Sequence, residues 1–232
     1  MPPAVTDPSS LTLQPVVQQS TPMMIAARVR TAIARGDFPP GAQLYEAELA
    51  RQLGVSRGPL REGLQRLTQE GLLVSIRHRG LFVVELTPEN VRDMYLAREA
   101  IERCAIAVVV ERDPQGTADA LQPVLDEMTL AADRSDYRGV AEADIRFHEV
   151  LVDRAGSERL ARVHATQATE ARVCIQALGQ SPQDALLRVE EHQRIADAIR
   201  AADGPLAQSL LAQHMADAVA DLTQQPREAP AG

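Results

Sequence analysis

With 232 residues, 45% apolar but only 3% aromatic side chains and no tryptophan, the chain has material for one large core or two smaller ones, and a ring-poor set of Leu, Ala, Val and Ile favours helices packed on helices over a sandwich or barrel. A formal net charge of −8 argues against a chain that binds nucleic acid over its whole surface. No stretch approaches the ~20 apolar residues of a membrane span, and the start, MPPAVTDPSS, has neither the basic region nor the apolar run of a signal peptide, so the expected location is the cytoplasm.

The charge is unevenly divided. All 24 basic residues are Arg; residues 20–86 carry nine of them against six acids, net +3, whereas residues 87–232 carry fifteen against twenty-five, net −10. That asymmetry suits a basic module facing phosphate joined to an acidic module that does not, although a +3 segment is by itself compatible with ordinary solvated surface. Cys104 and Cys174 stand alone in apolar helical contexts with no CxxC spacing, and are expected to be buried, reduced thiols.

In chain order, residues 1–19 are rich in Pro, Ser, Thr and Gln without periodicity and read as a disordered arm. Thr21-Pro22 opens a helix to about Arg35 with Ile25, Val29 and Ile33 on one stripe, ending at a Gly/Pro turn. Two shorter helices follow, near Glu46–Leu53 and Arg57–Glu70, split by Gly54-Val55-Ser56. Leu72–Ile76 and Leu81–Glu85 are short β-like runs around the tight turn Arg77-His78-Arg79-Gly80. From Thr87 the pattern is helical only, with helices expected near Thr87–Glu111, Thr117–Arg134, Tyr137–Ala155, Glu158–Leu178, Pro182–Ala202 and Pro205–Leu222, and a frayed tail at 223–232. The expected architecture is therefore mainly α: a winged helix-turn-helix over 20–86 and an all-α helical bundle over 87–222.

The Glu46–Glu70 segment has the spacing of a helix-turn-helix. Leu49, Ala50 and Leu53 give the first helix an apolar face, Gly54 permits the sharp turn, Val55 plugs the junction, and Ser56 caps the second helix. Leu60, Leu64 and Leu67 must face the core, which leaves Arg57, Gly58, Arg61 and Gln65 outside. Recognition helices reach base edges from their N-terminal residues, and Arg can bond guanine O6 and N7 in bidentate fashion. Arg57 and Arg61, one turn apart, are the best-placed readers; Ser56 and Gly58 suit phosphate, and the wing turn Arg77-His78-Arg79-Gly80 suits the backbone or minor groove. Each feature alone has a bland reading as solvated surface, and it is the ordered combination that is specific.

Those residues carry a resemblance. The run GAQLYEAELARQLGVSRGPLREGLQRLTQEGLLVSIRHRGLFVVEL closely resembles the GntR family of bacterial regulators, whose pattern reads approximately G-x-x-L-x-E-x-x-LA-x-x-x-GVSR-x-PVREAL-x-x-L-x-x-EGL. The resemblance implies base contacts by Arg57 and Arg61 and a close backbone approach at Gly80. Gly58 stands where the family usually has Thr, Gly63 where it usually has Ala, and Ala47 where some members carry a DNA-contacting Arg. These departures bear on the operator sequence, and Gly63 in mid-helix costs roughly 1 kcal/mol against Ala.

In the acidic module, Asp144 and His148 are four residues apart on one helix face, while His192 and His214 each lie eleven residues from Asp203, on consecutive helices. An antiparallel hairpin would set both His at similar depth, roughly 15 Å from its tip. One Asp and three His make a mixed N/O ligand set for zinc, with nickel, manganese or iron as alternatives; hydrogen-bonded core His and a surface Asp–His pair remain the competing reading, and it is the one given to His164. The strings DIRFHEVLVDRAG, EEHQRIADAIRAAD and AQHM resemble the FadR-type C-terminal ligand-binding domain, FCD, of the same family. That resemblance implies a divalent cation on Asp144, His148, His192 and His214, with a small carboxylate effector on or beside it. Arg98, in YLAREAIE, would be a carboxylate partner or else an intrahelical partner of Glu102.

The leading expectation is a homodimeric, effector-responsive regulator, acting as a repressor on a palindromic double-stranded operator. A metal-dependent hydrolase or lyase using the Asp/His site is the alternative, and a purely structural metal site is a third. No additional nucleophile or general base stands out for the enzyme, which would also leave the N-terminal module unexplained.

Overall fold

The structure, a computed structural model, describes residues 20–85, 87–176 and 182–224. The expected arm at 1–19 lies outside these residues, as does the expected tail from 225 onward; Thr223 and Gln224 continue the last helix.

The N-terminal module is built from α1 (Thr21–Ala34), β1 (Gln43–Leu44), α2 (Glu46–Leu53), α3 (Arg57–Gln69), β2 (Leu73–Ile76) and β3 (Gly80–Val83). Pro22 sits in the first turn of α1, where its missing N–H has no helical partner to lose, and the stripe Ile25, Val29 and Ile33 is buried. Helix α2 stops at Gly54, whose left-handed φ of 64° costs a glycine little. Helix α3 buries Leu60, Leu64 and Leu67, each at most 2% exposed, as the i, i+4, i+7 pattern requires. Strands β2 and β3 pair antiparallel with Val74 opposite Phe82. The two-residue β1, too short to leave a periodic signal, closes the sheet in the order β1-β3-β2.

Helix α1 lies close against α3 at Gly63. A Cβ there would fall 2.9 Å from both Ile25 Cγ2 and the Pro22 carbonyl oxygen. The sequence cost of a mid-helix glycine is thus the condition for this helix–helix approach.

The second module comprises α4 (Pro88–Arg112), α5 (Pro114–Asp133), α6 (Tyr137–Arg154), α7 (Glu158–Gln176), α8 (Pro182–Arg200) and α9 (Gly204–Gln224). Side-chain caps start five of them: Thr87 accepts from the Asn90 amide, Asp113 from Gly116, Asp136 from Gly139, Ser157 from Leu160 and Asp203 from Leu206. The Asp113 cap with Pro114 at the first position starts α5 three residues before the expected Thr117. Helix α5 packs on α6 and α8, α4 on α7 and α9, and α8 on α9, around a core that includes Ile106, Leu121, Met128, Leu151, Ile195 and Leu211. Cys174 is buried here, but Cys104 is exposed, contrary to expectation: its neighbours Ala105 and Ile106 take the core-facing positions of α4. No described helix is long and apolar enough to cross a membrane.

The two modules keep separate cores. They meet where α7 packs on α1 and where Glu170 of α7 reaches the turn after α3. A cavity of about 670 Å³ lies at this junction, bounded by Gly71, Val84, Asp93, Met94, Gln167 and Glu170 among others. Burial, with Asp93 nearby, pushes the Glu170 carboxyl up to about 7.

Candidate nucleic-acid interface and candidate metal centre

The outer side of α3 carries Arg57, Gly58, Arg61 and Gln65, all exposed, as the apolar pattern demands. Ser56 occupies the N-cap position with extended backbone, but its hydroxyl makes no capping hydrogen bond, contrary to the expected cap. Arg61 is also less free than expected. Its Nε donates to Glu46 Oε2 at 2.7 Å, so the first residue of α2 orients the guanidinium, although the Arg61 side chain stays 64% exposed. The sequence signal for Glu46 was only its place at the start of the helix that packs on α3. In the wing, Arg77, His78, Arg79 and Gly80 are all exposed, with His78 at φ 61° and Gly80 at φ 112° forming the tip. Gln43 of β1 donates through Nε2 to the Arg79 carbonyl at 2.8 Å, and the Arg79 guanidinium lies 5.5 Å from the Phe82 ring centre, so the wing is braced from within its sheet.

The second module brings Asp144, His148, His192 and His214 together from α6, α8 and α9, each at most 2% exposed, with one potential ligand atom from each inside a 4.8 Å span. The tautomers follow from the outer partners. His148 Nδ1 donates to Glu102 at 2.5 Å, His192 Nδ1 to the Arg188 carbonyl at 2.7 Å, and His214 Nδ1 to Glu191 at 2.8 Å. A carbonyl or carboxylate oxygen here only accepts, so all three Nδ1 atoms hold the proton and all three Nε2 atoms present lone pairs. Those Nε2 atoms converge: His148 lies 3.3 Å from His192 and 3.3 Å from His214. Asp144 Oδ1 stands 3.4 Å from His192 Nε2, and Asp144 Oδ2 is buried without a hydrogen-bond partner.

Lone pairs facing each other at this distance repel unless a proton or a cation lies between them. Burial pushes His148 down to about 4 and His192 well below its usual value, the latter with help from His214, so a proton is disfavoured at neutral pH. Two nitrogens on one tetrahedral zinc, bonded at about 2.0–2.1 Å, sit about 3.3–3.4 Å apart. The residues therefore fit a divalent cation in donor type, tautomer and spacing. Phe147 packs edge-on against His192, with ring centres 4.7 Å apart, and closes an apolar side of the group.

The sequence offers Glu102 only as a possible partner of Arg98; in the structure it is the hub of the outer layer. Its Oε2 accepts from His148 and its Oε1 accepts from Arg98 Nε at 2.7 Å and from His164 Nε2 at 3.0 Å. Burial alone would raise its carboxyl, but the His148 ring and the Arg98 guanidinium hold it well below the usual carboxylate range. His164 is the hydrogen-bonded core residue expected, with a partner 62 positions away. Arg98 is the intrahelical partner of Glu102 through Nε, while its Nη2 is buried with no partner. Tyr95, one turn before it, likewise buries an unpartnered hydroxyl, and the Arg98 guanidinium lies 5.5 Å from its ring centre.

Residues 22–83 match the bacterial regulatory proteins of the gntR family, and residues 93–217, more than half of the chain, match the FCD domain. A probable D-xylose utilization operon transcriptional repressor of Paenarthrobacter nicotinovorans is 31% identical over 83% of this chain and 86% of its own length. The transcriptional repressor RspR of Escherichia coli K12 is 30% identical over 87% and 86%. Among solved structures, a Rhodococcus sp. RHA1 protein described as a GntR transcriptional regulator superposes with a TM-score of 0.75 at 29% identity, covering 88% of this chain and 98% of that one. Escherichia coli McbR/YncC gives 0.74 at 22% identity over 88% and 98%, a likeness of fold. These relatives are regulators rather than enzymes, and the chain belongs with them: it is a GntR-family transcriptional regulator with an N-terminal helix-turn-helix DNA-binding domain and a C-terminal FCD domain.

Proposed function

We propose that the chain is a metabolite-responsive repressor that works in the cytoplasm as a homodimer, binding a palindromic operator through residues 20–86 and sensing a small carboxylate at a metal held within residues 87–222. Arg57 and Arg61 read base edges in the major groove; Ser56, with its hydroxyl unused by the helix, and Gly58 meet phosphate; Arg77, His78, Arg79 and Gly80 follow the backbone or minor groove. Two such modules related by a two-fold axis would read two half-sites. The repressor names of two relatives support the sign of regulation.

Asp144, His148, His192 and His214 hold the divalent cation, zinc foremost, with nickel, manganese or iron as alternatives. The observation that carries this reading is the set of three Nδ1-bonded histidines in which the Nε2 atoms of His192 and His214 each lie 3.3 Å from that of His148. When bound, the cation supplies an anion-binding Lewis-acid centre. Arg98 offers the effector its free Nη2, and the unpartnered Tyr95 hydroxyl stands on the same side of α4. A ligand with carboxylate oxygens would satisfy both buried donors.

The test has two parts. Purified protein should hold about one metal per chain, and His148→Ala and His192→Ala should each lose most of it; wild-type metal in both variants rejects the ligand assignment. Arg61→Ala should abolish selective binding to a DNA site chosen from a random pool while leaving the fold intact by circular dichroism. Undiminished selectivity rejects its reading role.

A further inference from the structure

The outer hydrogen-bond layer of the Asp/His group extends to His164 within α7, and a contact with the DNA-binding module lies at a second point on the same helix. His164 of α7, 2% exposed, donates to the carboxylate of Glu102, which also holds His148 in its lone-pair-inward tautomer. Six residues along, about 9 Å by helical rise, Glu170 leaves α7 toward the turn that ends α3. The fit there is close: a Cβ on Gly71 would overlap the Glu170 carboxylate, and Gly71 has a φ of 74°. Helix α7 also packs on α1, and α1 on α3 at the Gly63 approach. The junction cavity of about 670 Å³ leaves space on one side of this contact, so Glu170 can shift without opening either core.

We infer that Glu102 and His164 are positioning residues that transmit occupancy of the Asp144/His148/His192/His214 group to the recognition helix, with α7 as the lever and the Glu170–Gly71 contact as its output. A cation drawing on the His148 Nε2 lone pair makes the Nδ1–H a stronger donor to Glu102. Glu102 then shares its charge differently between His148, Arg98 and His164, and the position of His164 fixes that of α7. Neither Glu102 nor His164 belongs to the proposed ligand set, and neither is on the DNA face. The inference rests on the metal reading given above, and its test separates the two.

Full-length wild type, His164→Leu and Glu170→Ala are compared for zinc content and for affinity to one DNA fragment selected by the wild type, each zinc-loaded and after chelation. Coupling free energies of the usual size correspond to a ratio of about 5–150 between the two affinities in the wild type. The expected result is that both variants keep one zinc per chain and the wild-type affinity in the chelated state, while the ratio falls toward one. Wild type that takes up no zinc overturns the metal reading itself. Zinc uptake with a ratio of one in the wild type, or a full ratio in a folded, zinc-loaded variant, overturns the α7 route alone. Should His164→Leu fail to fold, Glu170→Ala, at the rim of the cavity and remote from the metal, decides the matter.

Discussion

Replacing Gly63 by Ala should destabilise the DNA-binding module, against the ordinary preference of helices. In an open helix the change would stabilise by about 1 kcal/mol. Here the new methyl group would meet Ile25 Cγ2 and the Pro22 carbonyl oxygen at 2.9 Å, about 0.5 Å inside ordinary contact. Ile25 can rotate only into a packed core, and the Pro22 oxygen is backbone in the first turn of α1, so α1 as a whole has to retreat. Overpacking of this kind costs about 1–3 kcal/mol. The net expectation is a loss of about 1 kcal/mol, near 4–8 °C in the melting of a module of this size. Gly58→Ala, on the same helix with nothing within 4 Å of its added Cβ, is the control and should be neutral to stabilising. Thermal melts of both variants, followed by circular dichroism with amide exchange in α1 and α3, make the comparison. Gly63→Ala melting at or above the wild-type temperature would refute the close approach.

The chelated protein should lose stability as pH falls from about 6.5 toward 4. His148 is pushed down to about 4 and His192 well below its usual value by burial, so the unfolded chain takes up protons first; the stability is complete above the unfolded value of about 6.5 and declines below it, by up to roughly 1.4 kcal/mol per ring per pH unit. Urea titrations at pH 7 and pH 5 test this, and equal stabilities would contradict it. Tyr95→Phe removes a buried hydroxyl that has no partner, so the metal-free protein should be as stable as wild type or more so, whereas loss of more than about 1 kcal/mol would mean that the hydroxyl is satisfied in solution.

What the sequence revealed depended on whether a residue's partner was nearby along the chain. Leu60, Leu64 and Leu67 declare the buried side of α3 by their spacing, and Gly54 declares its turn, so the exposed positions of Arg57 and Arg61 follow locally. The convergence of His192 and His214 was legible because both are measured from one hairpin tip at Asp203. The Glu46–Arg61 bond joins residues 15 apart on different helices, Glu102 and His148 are 46 apart, and Glu102 and His164 are 62 apart. No periodicity encodes such pairs; they appear only when helix packing fixes which faces meet. Cys104 departs from its expected burial for a related reason: its neighbours are apolar, but one residue of rotation, 100°, separates it from the core stripe of α4.

The balance of buried charge suggests an order of binding. Among the described residues around the Asp/His group, Asp144 and Glu102 are negative, Arg98 and Arg188 positive, and all four are at most 7% exposed. They cancel, so the group needs no cation for neutrality; it needs one to separate its lone pairs. A divalent ion then leaves two positive charges in a dry site, or one when the half-buried Glu191 beside His214 is counted. An uncompensated buried charge is costly, and a carboxylate that can also use Arg98 Nη2 is the natural remedy. The cation should therefore create the acid site: titration calorimetry with a short-chain hydroxy acid or dicarboxylate should show binding to zinc-loaded protein and at least tenfold weaker binding after chelation. Equal affinity in the two states would mean that Arg98 and Tyr95 recognise the acid unaided.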